Sequence, residues 1–322
     1  MSKFWSNYPI IDKEIEKVKL QISKNAKCKD KIIEKSILEL LNSGGKMLRP
    51  AFTVIASKFG EYNEERVTAL AAVVEMFHMA TLVHDDVIDD AELRRGKETV
   101  QAKYGKNYAV YIGDYLFCLC FRTLATTSSI ERGVDVDTKV MSRICLGEVE
   151  QLNSRFKKDV SVKEYLKRIS GKTAELFSLS LYIGAAESSC DKKTCRLFWE
   201  IGHNIGMAFQ IIDDVLDYIG TDEEIGKKSG NDLKDGIYTL PLILAMKNDP
   251  ERFNILLNKD KYGEADTNNI INLVKENDGI ESSIKIAEKY SKKAFRDIEK
   301  LPNNEYKYIL MEVTKKLLQR KY

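Results

Sequence analysis

The chain has 322 residues, 43% hydrophobic and 31% charged, with 51 Lys and Arg against 49 Asp and Glu. This length and apolar content support a large folded core, and a formal net charge of +2 excludes a general electrostatic pull towards nucleic acid. Residues 1–9 hold no signal-peptide apolar run, and no segment reaches the roughly 18 uninterrupted apolar residues of a membrane span, so a soluble protein without a transmembrane segment is expected.

Two helices are expected over residues 11–41, from apolar positions at Ile11, Ile15, Val18 and Ile22 and again at Ile32, Ile33, Ile37, Leu40 and Leu41. Ser43-Gly44-Gly45 stops the second, and Pro50 suits the first turn of the next. A long helix rich in Ala, Val, Leu and Met follows over 64–90, then a basic loop from Leu93 to Thr99. Further helices are expected at about 107–127, 135–154, 162–187 and 192–219, then a Gly/Lys/Asp loop over 220–238. Helices resume near Leu240 and at about 265–276, 280–300 and 304–319. Proline occurs only at positions 9, 50, 241, 250 and 302, so residues 51–240 contain none, which permits a bundle of long helices. With no linker composition and no short-period repeat, a single all-α domain over residues 1–322 is expected, its long, mostly antiparallel helices surrounding a deep central cavity. Cys28, Cys118, Cys120, Cys145, Cys190 and Cys195 form no Cys-x-x-Cys pair, which points to a reducing, cytoplasmic setting.

Two acidic clusters stand out: Asp85-Asp86-Val87-Ile88-Asp89 and Asp213-Asp214-Val215-Leu216-Asp217. On a helix, the first and last carboxylates of each lie one turn apart on one face, where like charges repel. A solvated acidic face would interleave Lys or Glu; here Leu82, Val83, Ile88, Ile211, Ile212 and Leu216 mark both segments as largely buried. Carboxylates crowded in a dry place need cations, and hard oxygen ligands without nearby Cys suit Mg²⁺, which commonly bridges protein carboxylates to phosphates. The two acidic helices are therefore expected to face each other and grip a diphosphate through magnesium.

Basic residues gather where short loops meet helices: Lys46 and Arg49 around Gly44-Gly45, Arg94-Arg95 one turn beyond the first cluster, and Lys227-Lys228 beyond the second. Arginine forks and lysine point charges are common grips on phosphate oxygens. Two basic sets and two acidic clusters imply two phosphorylated ligands or one very large one.

These residues carry a family resemblance. The chain resembles the trans-isoprenyl diphosphate synthases (polyprenyl synthetases) over nearly its full length. The matching blocks are Gly44 to Pro50, His84 to Gly96 (HDDVIDDAELRRG), Gly113-Asp114-Tyr115-Leu116, Gly171-Lys172-Thr173, Gly206 to Asp214, and Gly226-Lys227 with Asp232-Leu233 and Thr239-Leu240-Pro241. The pattern is most similar to medium- and long-chain members, including large subunits of hexaprenyl and heptaprenyl diphosphate synthases. The resemblance implies the isoprenoid synthase fold and Mg²⁺-dependent condensation of an allylic prenyl diphosphate with isopentenyl diphosphate. It implies three Mg²⁺ ions per active site, with Asp85, Asp89, Asp213 and Asp217 as ligands and Asp86, Asp214 and Lys172 as further catalytic residues. Arg94, Lys172, Thr173, Gln210 and Lys227 would contact the allylic substrate, and Lys46, Arg49, His78 and Arg95 isopentenyl diphosphate. A homodimer is implied, or a catalytic chain needing a small accessory subunit. Ile237 stands where the family often has Lys, which removes one cationic contact, and Glu98 stands where a Pro is usual.

Metal-bound diphosphate is a good leaving group; the allylic cation left behind must meet a double bond and lose a proton while water is excluded. No well-placed His or Glu offers itself as base, so the released diphosphate is the better candidate. Product length is expected to be set on the helix before the first cluster, where Ala80 and Thr81 are small and Phe77 stands one turn further back. The family caps short products with an aromatic near position 80; its absence points to C20–C35, with Phe77 as a deeper floor or as plain core. Competing readings are a di-iron bundle on the Glu-x-x-His pairs Glu75/His78 and Glu200/His203, an inactive helical subunit, and a terpene cyclase. The first leaves both acidic clusters unexplained, the second conflicts with two intact clusters, and the third usually carries only one.

Overall fold

The computed structural model describes residues 4–127, 134–219, 230–259 and 262–318. In chain order the described elements are α1 (Pro9–Ala26), α2 (Lys31–Leu41), α3 (Leu48–Ser57), α4 (Glu64–Ile88), β1 (Leu93–Arg94), β2 (Lys97–Glu98), α5 (Val100–Tyr104), α6 (Lys106–Thr127) and α7 (Val134–Asn153). They continue with α8 (Val162–Ile169), a π-helical turn (Ser170–Ala174), α9 (Glu175–Glu187), α10 (Lys192–Ile219), α11 (Asn231–Lys234) and α12 (Leu240–Asn248). The last are α13 (Pro250–Leu256), α14 (Glu264–Glu276), α15 (Gly279–Glu299) and α16 (Glu305–Leu318).

The all-α expectation holds, and three local readings are refined. The basic stretch after α4 is a two-stranded antiparallel hairpin, with Leu93 opposite Glu98 and Arg94 opposite Lys97. Its two-residue turn places Arg95 (φ 52°) and Gly96 (φ 74°) both in the left-handed region, as a twisted hairpin demands. The helix expected over 162–187 is interrupted by the π-turn, and part of the expected 220–238 loop forms the short helix α11.

The chain divides into two compact units. Unit 1 comprises Met1–Thr138, Leu179–Trp199 and Leu301–Leu310, and unit 2 comprises Lys139–Ser178, Glu200–Lys300 and Met311–Tyr322. Within unit 1, α4 packs against α6, α3 and α1. Asn63 caps α4, its side chain accepting from the Arg66 N–H at 3.0 Å. Almost every residue of α4 from Val67 to Ala80 is buried, which is why the helix is apolar all round. Each fully buried Leu or Val contributes about 1.5–3 kcal/mol, so α4 is the anchor from which the acidic end projects. By length and average apolarity α4 and α6 would each reach across a membrane, but 78% of the most apolar window of α4 is buried inside the protein, as in a core helix. Trp5, fully buried, donates from Nε1 to the Lys46 carbonyl at 2.5 Å and ties the N-terminal segment to the Gly44–Lys46 loop.

Within unit 2, α12, α14 and α15 pack on one another. From Ile201 onwards α10 buries Ile201, Ile205, Ala208, Ile211, Ile212, Val215 and Tyr218. Ser161 and Glu164 close a capping box at the start of α8. Gly147 on α7 meets the π-turn so closely that a Cβ there would stand 2.9 Å from the Lys172 nitrogen. That backbone approach sets where Lys172 and Thr173 emerge.

Candidate active site

In unit 1, α4 carries Asp85 and Asp89 at its solvent-facing end; Asp85 is half-buried and Asp89 exposed. Asp86, turned about 100° away on the helix, is only 2% exposed. Arg94 Nε donates to Asp86 Oδ1 at 2.7 Å and ties the hairpin back onto α4. Asp86 thus anchors the segment that carries both arginines, and Arg94, expected from the resemblance to contact the allylic substrate, is engaged by that carboxylate. His84, just before the cluster, is wedged against α6: its Nε2 lies 3.3 Å from both the Val110 carbonyl and Asp114 Oδ1. A Cβ on Gly113 would stand 2.5 Å from that same nitrogen, so only glycine leaves room for the ring.

Unit 1 also gathers three of the four residues expected at isopentenyl diphosphate. Burial pushes the Arg49 guanidinium down to about 10, with Glu75 opposing and Arg95 reinforcing the shift. His78 is held well below the usual histidine value, first by burial and then by Arg49, Arg95 and Arg94, so it is a neutral imidazole at neutral pH. Glu75 is raised by burial and pulled back by Arg49 and Arg95. Arg95 Nη1 lies 3.0 Å from where a Gly45 side chain would begin, which sets the guanidinium beside the glycine loop. Lys46, the fourth, is exposed on that loop with its ammonium 5.5 Å from the Phe4 ring centroid. This cationic neighbourhood suits an anion and repels a second metal ion, so Glu75 and His78 are poor iron ligands. His203, in unit 2, has its Nε2 3.1 Å from Ser170 Oγ.

In unit 2, α10 presents Asp213 to solvent and buries Asp214. Both oxygens of Asp214 are hydrogen-bonded: Tyr165 Oη donates to Oδ2 at 2.6 Å and Gln210 Nε2 to Oδ1 at 2.7 Å. Thr173 Oγ1 donates in turn to Gln210 Oε1 at 2.7 Å, so two residues expected at the allylic substrate are linked to the acidic cluster. Burial pushes Asp214 up to about 7 despite these donors. Asp217 is raised by burial, with backbone amides of Asp232, Asn231 and Gly230 pulling it back, and its Oδ2 is buried without a hydrogen-bond partner among the described residues. Asp232 is raised well above the carboxylate range by burial and by Asp217, Asp214 and Asp213, and Lys172 opposes this. Lys172 Nζ also reaches Glu148 Oε2 at 2.8 Å. Four neighbouring aspartates with an unpartnered buried oxygen are a hard-oxygen set carrying excess negative charge, and they fit Mg²⁺. Among the described residues no three His, Cys, Asp or Glu side chains form a ready metal cage.

Lys227 lies outside the described residues. Ile237, which replaces the usual Lys, is buried, with its N–H donating to the Asp232 carbonyl at 2.8 Å. Tyr165, Arg168 and Glu148 carry no motif, and reading the sequence gives them no role. Arg168, buried, donates to Ser154 Oγ at 2.8 Å and to the Tyr238 carbonyl at 2.7 Å, bracing α8 behind Tyr165. Asp232 belongs to a resembling block, and that block was the available signal for it.

The chain matches the family described as Polyprenyl synthetase over residues 30–276. It belongs to the polyprenyl synthetase family. Accordingly it is a trans-prenyltransferase with the isoprenyl synthase fold. It is 35% identical over 320 residues to heptaprenyl diphosphate synthase component 2 of Bacillus subtilis, covering 99% of this chain and 92% of that protein. Among solved structures, it resembles heptaprenyl diphosphate synthase from Staphylococcus aureus with a TM-score of 0.92 and 37% identity, covering 97% of this chain and 99% of that one. It also resembles geranylgeranyl pyrophosphate synthase from Lactobacillus brevis, with a TM-score of 0.93 and 34% identity over 99% of this chain and 100% of that one. Family membership displaces the di-iron and terpene cyclase readings.

Proposed function

We propose that the chain joins an allylic prenyl diphosphate to isopentenyl diphosphate, head to tail (1'-4), and repeats the step to give an all-trans polyprenyl diphosphate of C20–C35. The observation that carries this reading is the pair of Asp-Asp-x-x-Asp clusters, the second holding a buried carboxylate oxygen with no hydrogen-bond partner among the described residues. Asp85, Asp89, Asp213 and Asp217 are the residues that would hold Mg²⁺, three ions per site in this reading. When bound, the metal would neutralise the charge that grows on the departing diphosphate. Lys172, Thr173, Gln210 and Lys227 receive the allylic diphosphate, with Gln210 oriented by Thr173 and Asp214. Lys46, Arg49, His78 and Arg95 receive isopentenyl diphosphate, where the neutral His78 adds a hydrogen bond without charge. The allylic C1–O bond breaks, C1 bonds to C4 of isopentenyl diphosphate, and the released diphosphate takes the C2 proton. The relatives named for heptaprenyl and geranylgeranyl products bracket the proposed length.

The family match runs through both units, which supports treating residues 1–322 as one catalytic domain. Exposed Tyr108, Val110, Tyr111 and Phe121 on α6 support a homodimer. The name of the B. subtilis relative as component 2 favours a second reading, in which a small accessory subunit is required. The six free thiols fit a cytoplasmic setting. The test is to incubate purified chain with Mg²⁺, farnesyl diphosphate and labelled isopentenyl diphosphate, and to size the products. C20–C35 products support the reading. Activity appearing only with extract of the source cells favours the two-component form, and no condensation under either condition overturns both.

A further inference from the structure

In unit 1, α2, the β1–β2 hairpin and α5 surround a cavity of about 750 Å³, within the range of small-molecule sites. Buried Ser36 and Val100 form its floor, half-buried Leu38 and Tyr104 its sides, and exposed Lys35 and Lys97 its mouth. Of the residues assigned to the reaction only Asp86 and Arg94 reach its wall, and they are bonded to each other. Asp85, Asp89, Arg49, His78 and Arg95 do not line it, so this space is separate from the proposed diphosphate sites.

The charges around the cavity nearly cancel. Three pairs close within the wall: Arg94 with Asp86 at 2.7 Å, Lys31 with Glu34 at 2.7 Å and Lys103 with Glu39 at 2.8 Å. Lys35, Lys97 and Glu98 are left over, a surplus of one positive charge at the mouth. The Ser36 hydroxyl is buried without a hydrogen-bond partner among the described residues, a cost that a polar group on an occupant would relieve. Lys97 Nζ donates to the Asn42 carbonyl at 3.2 Å, so the hairpin already meets the end of α2 beside this space.

We propose that this cavity is a second ligand site, taking an apolar acid with a single negative charge. The acid group meets Lys35 and Lys97 at the mouth, and the apolar body lies on Leu38, Val100 and Tyr104. A multiply charged phosphate is disfavoured, because the mouth offers one net charge and Glu98 repels a second anion. The occupant spans α2 and the hairpin and steadies the strand pair next to Arg95. Filling the cavity therefore lowers the KM for isopentenyl diphosphate.

The site goes beyond the proposed condensation and stands apart from it; only the kinetic readout rests on that reading. The full chain should bind 8-anilino-1-naphthalenesulfonate, one sulfonate on an apolar ring system, with saturable fluorescence. Dodecanoate below its micellar concentration should displace the dye, and dodecanol should not. Leu38→Trp, which fills the cavity, should abolish the displaceable signal. Lys35→Glu, at an exposed helical position that leaves the fold intact, should weaken it about fivefold or more. In the condensation assay, dodecanoate should lower the KM for isopentenyl diphosphate in the wild type but not in Lys35→Glu. Dye binding that neither substitution alters, or that dodecanol displaces equally well, overturns the site. Displacement lost in both variants, with a KM that dodecanoate leaves unchanged in the wild type, overturns the link to the hairpin. A wild-type chain without condensation activity removes the earlier reading while the binding arms still decide the site, so the two fail separately.

Discussion

Tyr165 Oη donates to Asp214 Oδ2 at 2.6 Å inside unit 2, and this bond divides the second acidic cluster into two kinds of carboxylate. Asp214 is satisfied by Tyr165 and Gln210, whereas Asp217 keeps a buried oxygen without a partner among the described residues and Asp213 faces solvent. In the proposed reading Asp214 positions its neighbours, and Asp213 and Asp217 would hold the cations. Tyr165 is fully buried and its hydroxyl is raised well above the ordinary tyrosine range by burial and by Asp214, so it stays a donor. Tyr165→Phe should cost about 1–3 kcal/mol in urea unfolding, because Asp214 Oδ2 is left buried and unpaired. It should also raise the Mg²⁺ concentration needed for half-maximal turnover. A variant with wild-type stability would remove the positioning role.

The raised Asp214 gives the metal-free protein a defined pH response. In the unfolded chain this group loses its proton near the ordinary aspartate value of 3.8, and in the fold it keeps it to about 7. The native state therefore binds more protons between those values, and stability falls as pH rises through that window. Asp217 and Asp232 are raised too and add in the same direction. Asp214→Asn should flatten part of this slope in urea midpoints measured from about pH 4 to 7. Added Mg²⁺ should stabilise the wild type more at the upper end, where ionised carboxylates bind it. A wild-type midpoint that climbs with pH in the presence of a chelator would contradict this account.

Asp85, Asp89 and Asp213 are the carboxylates that their helices leave accessible. Replacing any one with Ala should cut turnover by about 10²-fold or more while leaving far-UV circular dichroism unchanged, because charge stabilisation of the leaving group is a large part of such catalysis. Asp86→Ala should behave differently. It frees Arg94 and loosens the hairpin, so stability falls with activity. Equal effects of Asp85→Ala and Asp86→Ala on stability would erase the distinction.

Gly113 and His84 make a sharper packing test. A methyl group at 113 would stand 2.5 Å from His84 Nε2, so the end of α4 or the ring must move. Overpacking of this kind costs about 1–3 kcal/mol. Gly113→Ala should destabilise the protein and lower kcat through displacement of Asp85, and adding His84→Ala should recover part of the stability. Additive losses in that double-mutant cycle would show that the two positions do not press on each other.

Much of this architecture is readable in the chain. The proline-free interval, the continuous apolar run of α4 and the apolar period of α10 fix long helices to within a few residues, since nothing in those runs competes with helix burial. What escapes is tertiary. Tyr165 meets Asp214 across 49 residues of sequence, and Tyr at that position has no motif to mark it. The π-turn lies where Gly147 and the Lys172 backbone approach closely, a contact neither local segment holds alone. The hairpin after α4 reads as a basic loop until the left-handed pair Arg95-Gly96 is seen to be its turn.

Lys172 is held between two acidic neighbourhoods, its Nζ 2.8 Å from Glu148 Oε2 and its charge opposing the rise of Asp232. In the proposed function, a diphosphate arriving at this ammonium would compete with Glu148 for it. Both side chains of the pair are more than a fifth exposed, so the pair itself contributes about 1 kcal/mol or less. Glu148→Gln removes the competing anion but also the partner that aims the ammonium. The KM for the allylic substrate should fall a few-fold while kcat falls with it. Lys172→Gln should instead raise KM and, by removing the cation that steadies Asp232, steepen the loss of stability with rising pH. If Glu148→Gln leaves both constants unchanged, Glu148 has no hold on the lysine that matters to the reaction.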